Sequence, residues 1–216
     1  MTLPKHIKAA IFDLDGTVLD SLGVWAETDC KFLLRRNIAV PPDYQHAVKS
    51  LNFPEAADYT IARFGLEESP AAVMAEWLQL TREAYAFEVE LKPCVRDYLL
   101  RLSDDGVRLA VATSSAPELF LPALERHGLK QLFSTFVTTY DVMKGKHFPD
   151  VYLEAAKRLN VLPAECAVFE DVLSAVKTAR AAGFYTVAVR DESSAAEEPE
   201  LRANSDYYLK NYSELL

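Results

Sequence analysis

The sequence predicts an α/β protein built on a doubly wound parallel sheet, with an all-helical domain inserted after the first strand. Short apolar segments alternate with helical segments between residues 93 and 190, which is typical of parallel strands joined by crossover helices. Residues 18–90 instead contain helical patterns punctuated by prolines and no convincing apolar strand. We therefore predict an α/β core formed by residues 1–17 and 91–216, and a helical domain formed by residues 18–90.

Each strand is predicted from a short apolar run that is partly β-branched. The first run covers residues 7–12 and ends in Asp13-Leu14-Asp15-Gly16-Thr17. The later runs cover residues 107–112, 135–138, 166–169 and 186–189, and a last edge strand is expected at 206–209. Right-handed crossovers bring the carboxyl ends of parallel strands to one edge of the sheet, so a ligand site is expected at that edge.

The helices are predicted from apolar spacing, from prolines near their first turns and from end residues such as Gly106. In the core they cover residues 95–102, 117–126, 151–159 and 172–182, and Ser115 is a candidate N-cap for the second of them. In the helical domain they cover residues 22–36, 42–50, 54–64 and 70–87. The acidic stretch after Asp191 is rich in small residues and predicts a loop.

Composition and charge narrow the class of protein. The 216 residues carry 23 basic and 32 acidic side chains, a net charge of −9, which disfavours a nucleic-acid partner. Cys30, Cys94 and Cys166 are dispersed without a CxxC pair, as expected in a reducing compartment. The sequence has no apolar signal core and no run of 18 apolar residues. We expect a cytoplasmic monomer that makes no membrane contact.

Four acidic residues follow two of the predicted strands, and they carry the first functional prediction. Asp13 and Asp15 come after the first strand, and Glu170 and Asp171 come after the strand at 166–169. Helix caps or solvated loops are the plain alternative for either pair alone. Both pairs would meet at one edge, where carboxylates repel one another unless a cation neutralises them. Oxygen ligands favour a hard cation, and Mg²⁺ is the expected cofactor.

Hydroxyl and ammonium groups complete this predicted site. Thr113 ends a strand and is followed by Ser114 and Ser115, whose hydroxyls and main-chain N–H groups suit an anion. Lys146 precedes a predicted helix. Alone, the hydroxyl residues are more typical of a helix cap and the lysine of a solvated charge. Together with a cation they predict a site for a phosphate dianion, in which an aspartate is the candidate nucleophile.

Four segments of the chain resemble, in order, the four motifs of the haloacid dehalogenase superfamily. The segment at 13–17, Asp-Leu-Asp-Gly-Thr, resembles the first, and the segments at 111–115, 145–150 and 168–171 resemble the other three. The resemblance spans about residues 7–190. It implies a Rossmann-like core, and the helical insert resembles the cap of the subgroup that includes phosphoglycolate phosphatases and β-phosphoglucomutase.

The resemblance implies a role for each matching residue. Asp13 would be the nucleophile, and Asp15 would protonate the leaving group and then deprotonate water. Lys146 would neutralise negative charge, and Thr113 would bind the phosphoryl oxygens. The implied phosphate-binding residues are Gly16, Thr113, Ser114, Ser115 and Lys146. The implied Mg²⁺ ligands are Asp13, Asp171 and the main-chain carbonyl of Asp15, with Glu170 in the outer shell. Together these roles imply hydrolysis of a small-molecule phosphomonoester through an aspartyl-phosphate.

Several alternatives stay open. His147 replaces the usual proline of the third motif, and Val172 and Ala175 replace the serine and glycine of the fourth. A β-phosphoglucomutase-like phosphotransferase is the nearest rival. A phosphonoacetaldehyde hydrolase would need Lys31 or Lys49 for a Schiff base. A receiver-like or other non-catalytic phosphate-binding module is a more remote reading.

Substrate contacts are expected from the helical domain and from the segment that leads into it. Asp20, Ser21 and Trp25 are the first candidates, although Trp25 is also expected to pack on Phe32 in the core of that domain. His46, Lys49 and Asn52 are further candidates.

Overall fold

The structure of the protein is a computed structural model that describes residues 3–48 and 53–216. Within these residues the chain forms two compact units. The α/β unit comprises residues 3–22 and 89–216, and the helical unit comprises residues 23–48 and 53–88. The boundaries therefore lie at Leu22 and Val89, a few residues from the positions that the sequence predicts.

The α/β unit holds all the strands of the described chain. They are β1 (Ala9–Phe12), β2 (Leu19–Asp20), β3 (Glu90–Leu91), β4 (Arg108–Thr113), β5 (Phe133–Thr138), β6 (Cys166–Glu170), β7 (Tyr185–Val189) and β8 (Tyr207–Leu209). Six of them form one parallel sheet in the order β5-β4-β1-β6-β7-β8. The predicted α/β fold with a doubly wound parallel sheet is confirmed. The antiparallel pair of β2 and β3 is missing from the prediction because each strand has only two residues.

The helices of the described chain fall into two groups. The helical unit contains α1 (Val24–Leu34), α2 (Tyr44–Val48), α3 (Phe53–Phe64) and α4 (Pro70–Phe87). The α/β unit contains α5 (Val95–Asp104), α6 (Pro117–Arg126), α7 (Thr139–Val142), α8 (Asp150–Arg158), α9 (Leu173–Ala181) and α10 (Glu198–Asn204). None of the helices within the described residues combines the length and the apolar character needed to cross a membrane.

The core of the α/β unit explains why β1 is apolar throughout. All four of its residues are fully buried, because a parallel sheet covered on both faces has no solvent-facing side. Alternate side chains such as Ala9 and Ile11 pack with Tyr152 and Ala155 from α8. The sheet thus provides a rigid, dry base from which the loop after β1 emerges.

The prediction of a loop after Asp191 is wrong. The segment after Asp191 is a 3₁₀ helix at Glu192–Glu197 followed by α10, where a loop was expected. Leu201 of α10 is buried against Val176 of α9. Leu201 packs in the same cluster as Leu173, Ala188 and Tyr208, and this burial stabilises a helix in a segment of low apolar content.

The helical unit has an aromatic core of its own. Phe32, Tyr44 and Trp77 are buried there, and the ring centroids of Phe32 and Trp77 lie 5.5 Å apart. The expected contact of Trp25 with Phe32 is not the one that forms. Trp25 is 44% exposed and meets Phe53 edge-on, with 5.8 Å between the ring centroids.

Candidate active site

The central strands β1 and β6 bring the first and fourth motifs together. Phe12 and Phe169 pair in parallel register, and their rings stack with 4.3 Å between centroids. The main-chain N–H of Asp13 donates to the carbonyl of Phe169 at 3.0 Å, which continues the ladder beyond the strand. Ligand oxygens of Asp13, Glu170 and Asp171 consequently lie within 4.8 Å of one another, and all three residues are buried.

Lys146 is the positive charge of this group. Its ammonium donates to Oδ1 of Asp13 and, at 2.5 Å, to Oε1 of Glu170. Although burial opposes its charge, the carboxylates of Asp13 and Glu170 raise the pKa of Lys146 above its usual value. Lys146 therefore stays protonated while it bridges two of the three acids.

The three acids hold more negative charge than one lysine neutralises. Burial raises the pKa of Asp13 well above its usual value, and the charges of Glu170 and Asp171 add to that rise against the opposing charge of Lys146. Burial, followed by the charge of Glu170, raises the pKa of Asp171 to about 7. Such a cluster is stabilised by any further positive charge that binds it.

One atom shows that the cluster fits a cation. Oε2 of Glu170 is buried and accepts no hydrogen bond from any described residue. A buried carboxylate oxygen without a partner is expensive unless something else supplies positive charge. Carboxylate oxygens are the donors that hard divalent cations prefer, so Asp13, Glu170 and Asp171 form a suitable ligand set.

Gly16 is required for the close approach of the first and fourth motifs. It adopts a positive φ of +84°, which glycine accepts without a steric penalty. A Cβ at this position would lie 2.5 Å from Oδ2 of Asp171 and 2.8 Å from Cδ1 of Leu22. The structure thus places Gly16 against Asp171, and a hydrogen bond of 3.4 Å from Thr17 Oγ1 to Asp171 Oδ1 adds to the contact.

Asp15 is held by two hydroxyls instead of by the acidic cluster. Ser21 Oγ donates to its Oδ1 and Ser115 Oγ to its Oδ2, each at 2.5 Å. The helix α6 begins at Pro117 as predicted, but its N-cap is Ala116, so the expected N-cap role of Ser115 is wrong. Because Ser115 does not cap α6, its hydroxyl is available to donate to the carboxylate of Asp15, 100 positions away in the chain. The proposed ligand role of the Asp15 main-chain carbonyl stays a prediction.

The second motif lies at the end of β4, beside β1. Thr113 is fully buried, and its Oγ1 accepts the main-chain N–H of Ser115 at 3.1 Å. Ser114 is exposed in the same loop. The structure therefore brings Asp13, Asp15 and Ser115 together, as the positions of the strand ends predict, and Lys146 joins them through its contact with Asp13.

The contact between Tyr152 and Glu170 is not predicted from the sequence. The hydroxyl of Tyr152 donates to Oε1 of Glu170 at 2.8 Å, and its ring is fully buried in the core beneath the sheet. In the sequence, Tyr152 is one apolar position on α8, and helical spacing alone cannot show that its hydroxyl reaches a residue of β6.

A second, partly buried ion pair is also not predicted from the sequence. The ammonium of Lys92 donates to Oδ2 of Asp191 and lies 3.8 Å from Oδ1 of Asp20. Asp191 follows β7, so this pair lies at the same sheet edge, and the charge of Asp191 contributes to the raised pKa of Asp171. Lys92 sits between two helical predictions in the sequence, where nothing distinguishes it from a solvated lysine.

The predicted substrate contacts have different outcomes. Ser21 contacts Asp15, and Asp20 is largely exposed. Lys49, Asn52 and the side chain of His46 lie outside the described residues. Their proposed contacts remain predictions.

The comparison with known families agrees with this arrangement of motifs. Residues 10–189 match the sequence profile of the haloacid dehalogenase-like hydrolases, which covers most of the chain. The chain belongs to the haloacid dehalogenase-like hydrolase family. It is therefore an enzyme of a hydrolase family, and the resemblance inferred from the four motifs is confirmed.

Individual relatives cover most of this hydrolase. Hexitol phosphatase A of Escherichia coli (strain K12) is 31% identical over 84% of the chain and 82% of its own length. Beta-phosphoglucomutase of Bacillus subtilis (strain 168) is 28% identical over 85% and 83%, respectively. The bifunctional riboflavin kinase/FMN phosphatase of Arabidopsis thaliana is 30% identical over 87% of the chain, but the match spans only 50% of that relative.

A solved structure extends the likeness to the fold. CbbY from Rhodobacter sphaeroides, in complex with phosphate, superposes with a TM-score of 0.76 at 22% identity, covering 97% of this chain and 96% of its own. At this level of identity the likeness concerns the fold alone.

Proposed function

We propose that this hydrolase is a Mg²⁺-dependent phosphatase that acts on a small-molecule phosphomonoester through an aspartyl-phosphate on Asp13. The bridge that Lys146 forms between Asp13 and Glu170, beside Asp171, is the observation that carries the proposal. A nucleophilic carboxylate must approach a phosphate dianion, and a buried ammonium at its side reduces the repulsion between them. Relatives named as phosphatases support the same reaction class.

The residues of the chain divide the reaction into two steps. A carboxylate oxygen of Asp13 attacks phosphorus, the bond to the leaving oxygen breaks, and Asp15 gives that oxygen a proton. Asp15 then takes a proton from water, whose oxygen attacks phosphorus, and the bond to Asp13 breaks to release phosphate. The step requires that Asp15 begins protonated, and the hydroxyls of Ser21 and Ser115 hold its carboxyl group in place.

Asp13 and Asp171 would hold Mg²⁺, together with the main-chain carbonyl of Asp15. The resemblance implies an outer-shell place for Glu170, but its buried and unpartnered Oε2 favours direct binding beside Asp13 and Asp171. When bound, Mg²⁺ supplies positive charge that stabilises the transferring phosphoryl group. Thr113, Ser114 and Gly16 would complete the phosphate contacts with Lys146. We also propose that the helical unit is the cap that supplies substrate contacts, and that the enzyme works in the cytoplasm.

The substrate class is proposed from the relatives. Several are named for phosphorylated carbohydrates or polyols, among them hexitol phosphatase A. A phosphorylated sugar or polyol is therefore the first class to examine, and a panel of metabolite phosphates ranked by kcat/KM would identify the preferred substrate.

The proposal is tested by phosphate release. We expect the purified chain to hydrolyse p-nitrophenyl phosphate with Mg²⁺ and to lose this activity in EDTA, with recovery when Mg²⁺ is restored. In Asp15→Asn, turnover slows and mass spectrometry of rapidly quenched protein finds phosphate on Asp13. Phosphate on a serine, or no hydrolysis across the panel with Mg²⁺ present, would overturn the proposal.

The mutase remains a second candidate because one relative is named beta-phosphoglucomutase. Incubation with β-glucose 1-phosphate and a trace of the bisphosphate separates the two reactions. A phosphatase releases free phosphate, whereas a mutase yields glucose 6-phosphate without it.

A further inference from the structure

We propose that Tyr152 is a positioning residue for the cation site: its hydroxyl fixes the carboxylate of Glu170 so that the free oxygen of Glu170 binds the cation. This inference rests on the proposed function, because it assumes that the acidic cluster binds Mg²⁺. It assigns a role to a residue outside the four motifs that carry the resemblance.

The two oxygens of Glu170 are in unlike surroundings. Oε1 accepts two hydrogen bonds, from Lys146 Nζ at 2.5 Å and from the Tyr152 hydroxyl at 2.8 Å. Oε2 is buried and accepts none from the described residues. A carboxylate held on one oxygen by two donors leaves the other as its available ligand atom.

Lys146 alone would hold Glu170 less firmly. Its ammonium is shared with Asp13, at the end of a flexible stem. Tyr152 is different, because its ring is fully buried among the core residues of α8 and contacts Phe184 edge-on, with 6.2 Å between centroids. The hydroxyl of Tyr152 therefore fixes the position of the Glu170 carboxylate, and the ammonium of Lys146 adjusts to that position.

The expected consequence is a loss of cation affinity without a loss of the fold. Tyr152→Phe keeps the ring and removes only the hydroxyl, so Glu170 retains a single donor and its carboxylate can rotate. Groups that orient metal ligands typically change metal affinity by about 10- to 100-fold when removed. We expect Mg²⁺ binding at least about tenfold weaker in this variant.

The same core offers a matched control. The hydroxyl of Tyr98 is also buried but has no hydrogen-bond partner in the described residues, and its ring lies 5.8 Å from that of Phe169. Tyr98→Phe removes the same atom from the same sheet core without touching Glu170. It should leave Mg²⁺ affinity unchanged.

The experiment measures Mg²⁺ binding to the full chain by calorimetry, together with the Mg²⁺-induced rise in Tm. Weaker binding and a smaller rise in Tyr152→Phe, with wild-type values in Tyr98→Phe, support the inference. Equal affinities in the wild type and Tyr152→Phe overturn it and leave the proposed phosphatase intact. If the wild type itself binds no Mg²⁺ and releases no phosphate, the proposed function fails as well.

A double-mutant cycle tests whether Tyr152 acts through Glu170. Glu170→Gln should weaken Mg²⁺ binding, and adding Tyr152→Phe to it should cause little further loss, because the residue being positioned is already changed. Additive losses would contradict the inference. Wild-type affinity in Glu170→Gln alone would also overturn it, and this readout does not depend on the folding of any Tyr152 variant.

Discussion

The two units of the molecule differ in where their charged side chains lie. The α/β unit buries Asp13, Glu170 and Asp171 together at the end of its central strands and pairs two of them with the largely buried Lys146. The helical unit fills its interior with aromatic and aliphatic side chains and keeps its ion pairs near the surface. Lys31 and Glu88, for example, pair at 2.5 Å while both side chains remain at least 40% exposed.

This difference distinguishes the side chains that stabilise the fold from those that serve the chemistry. Exposed ion pairs contribute little to stability, so the helical unit depends on its aromatic core. Buried charges are costly, and a sheet of this kind does not need them in order to fold. Their presence in the α/β unit is therefore evidence of chemistry, and a change in one unit has a matched change in the other as its control.

The largest expected effect follows from removing the nucleophile. Asp13→Asn should lower turnover of p-nitrophenyl phosphate at least about 10³-fold, because the amide cannot form the phosphoenzyme. Its Tm in EDTA should not fall, since the charged form of Asp13 is disfavoured by burial and by its acidic neighbours.

The matched change in the helical unit is Asp43→Asn, which removes the surface partner of Arg63. Its turnover should equal that of the wild type. Near wild-type turnover in Asp13→Asn would contradict the nucleophilic role, whatever the result for Asp43.

Removing a lysine compares the two kinds of ion pair directly. Lys146→Met leaves Asp13 and Glu170 without their shared cation and should reduce the free energy of unfolding in EDTA by about 3–5 kcal/mol, with loss of turnover. Lys31→Met should reduce it by at most about 1 kcal/mol and leave turnover unchanged. Urea denaturation measures both. Equal losses in the two variants would mean that burial does not distinguish the pairs.

A third pair of variants uses glycines with positive φ. In Gly16→Ala the new methyl group collides with Asp171, so Mg²⁺ affinity and turnover should fall about tenfold or more. Gly65 has a φ of +63° but no atom within 4 Å of an added Cβ, so Gly65→Ala should cost only about 1 kcal/mol of backbone strain. Calorimetry and urea denaturation separate the two effects. Unchanged Mg²⁺ affinity in Gly16→Ala would contradict the close approach to Asp171.

The sequence predicts the parts of the site that follow from strand ends. Asp13 and Glu170 each terminate an apolar run, and the common direction of parallel strands is enough to bring them together. The main strands and helices are predicted for the same reason: their patterns are local, and burial on both faces makes the central strands apolar throughout.

Contacts between distant segments are not predictable in this way. Ser115 looks like a helix cap because a proline follows two positions later, yet its hydroxyl binds Asp15. Tyr152 has the pattern of a core residue, and its distinguishing contact is one oxygen of Glu170. α10 forms in a segment of low apolar content because Leu201 packs on α9. Each depends on tertiary packing that no local pattern encodes.

The smallest expected effect concerns an exception in the helical unit. Asp29 on α1 is partly buried, and its side chain forms no ion pair with another described residue. Burial raises its pKa to about 7. The folded protein therefore binds a proton at Asp29 more tightly than the unfolded chain does, and this contribution to stability is lost as the pH rises through 7.

Asp29→Asn removes that dependence. Near pH 4 Asp29 is largely protonated in the folded protein, so the variant and the wild type should have similar Tm values. Above pH 7 the wild-type carboxylate is charged, and the variant should be more stable. Because the side chain is only partly buried, we expect a gain of about 1 kcal/mol, or a few degrees in Tm. Asp58→Asn, at an exposed position of α3, is the control and should show no such gain. An equal gain in Tm for Asp29→Asn at both pH values would show that Asp29 is already ionised near pH 4, and the helical unit would then also tolerate a partly buried charge.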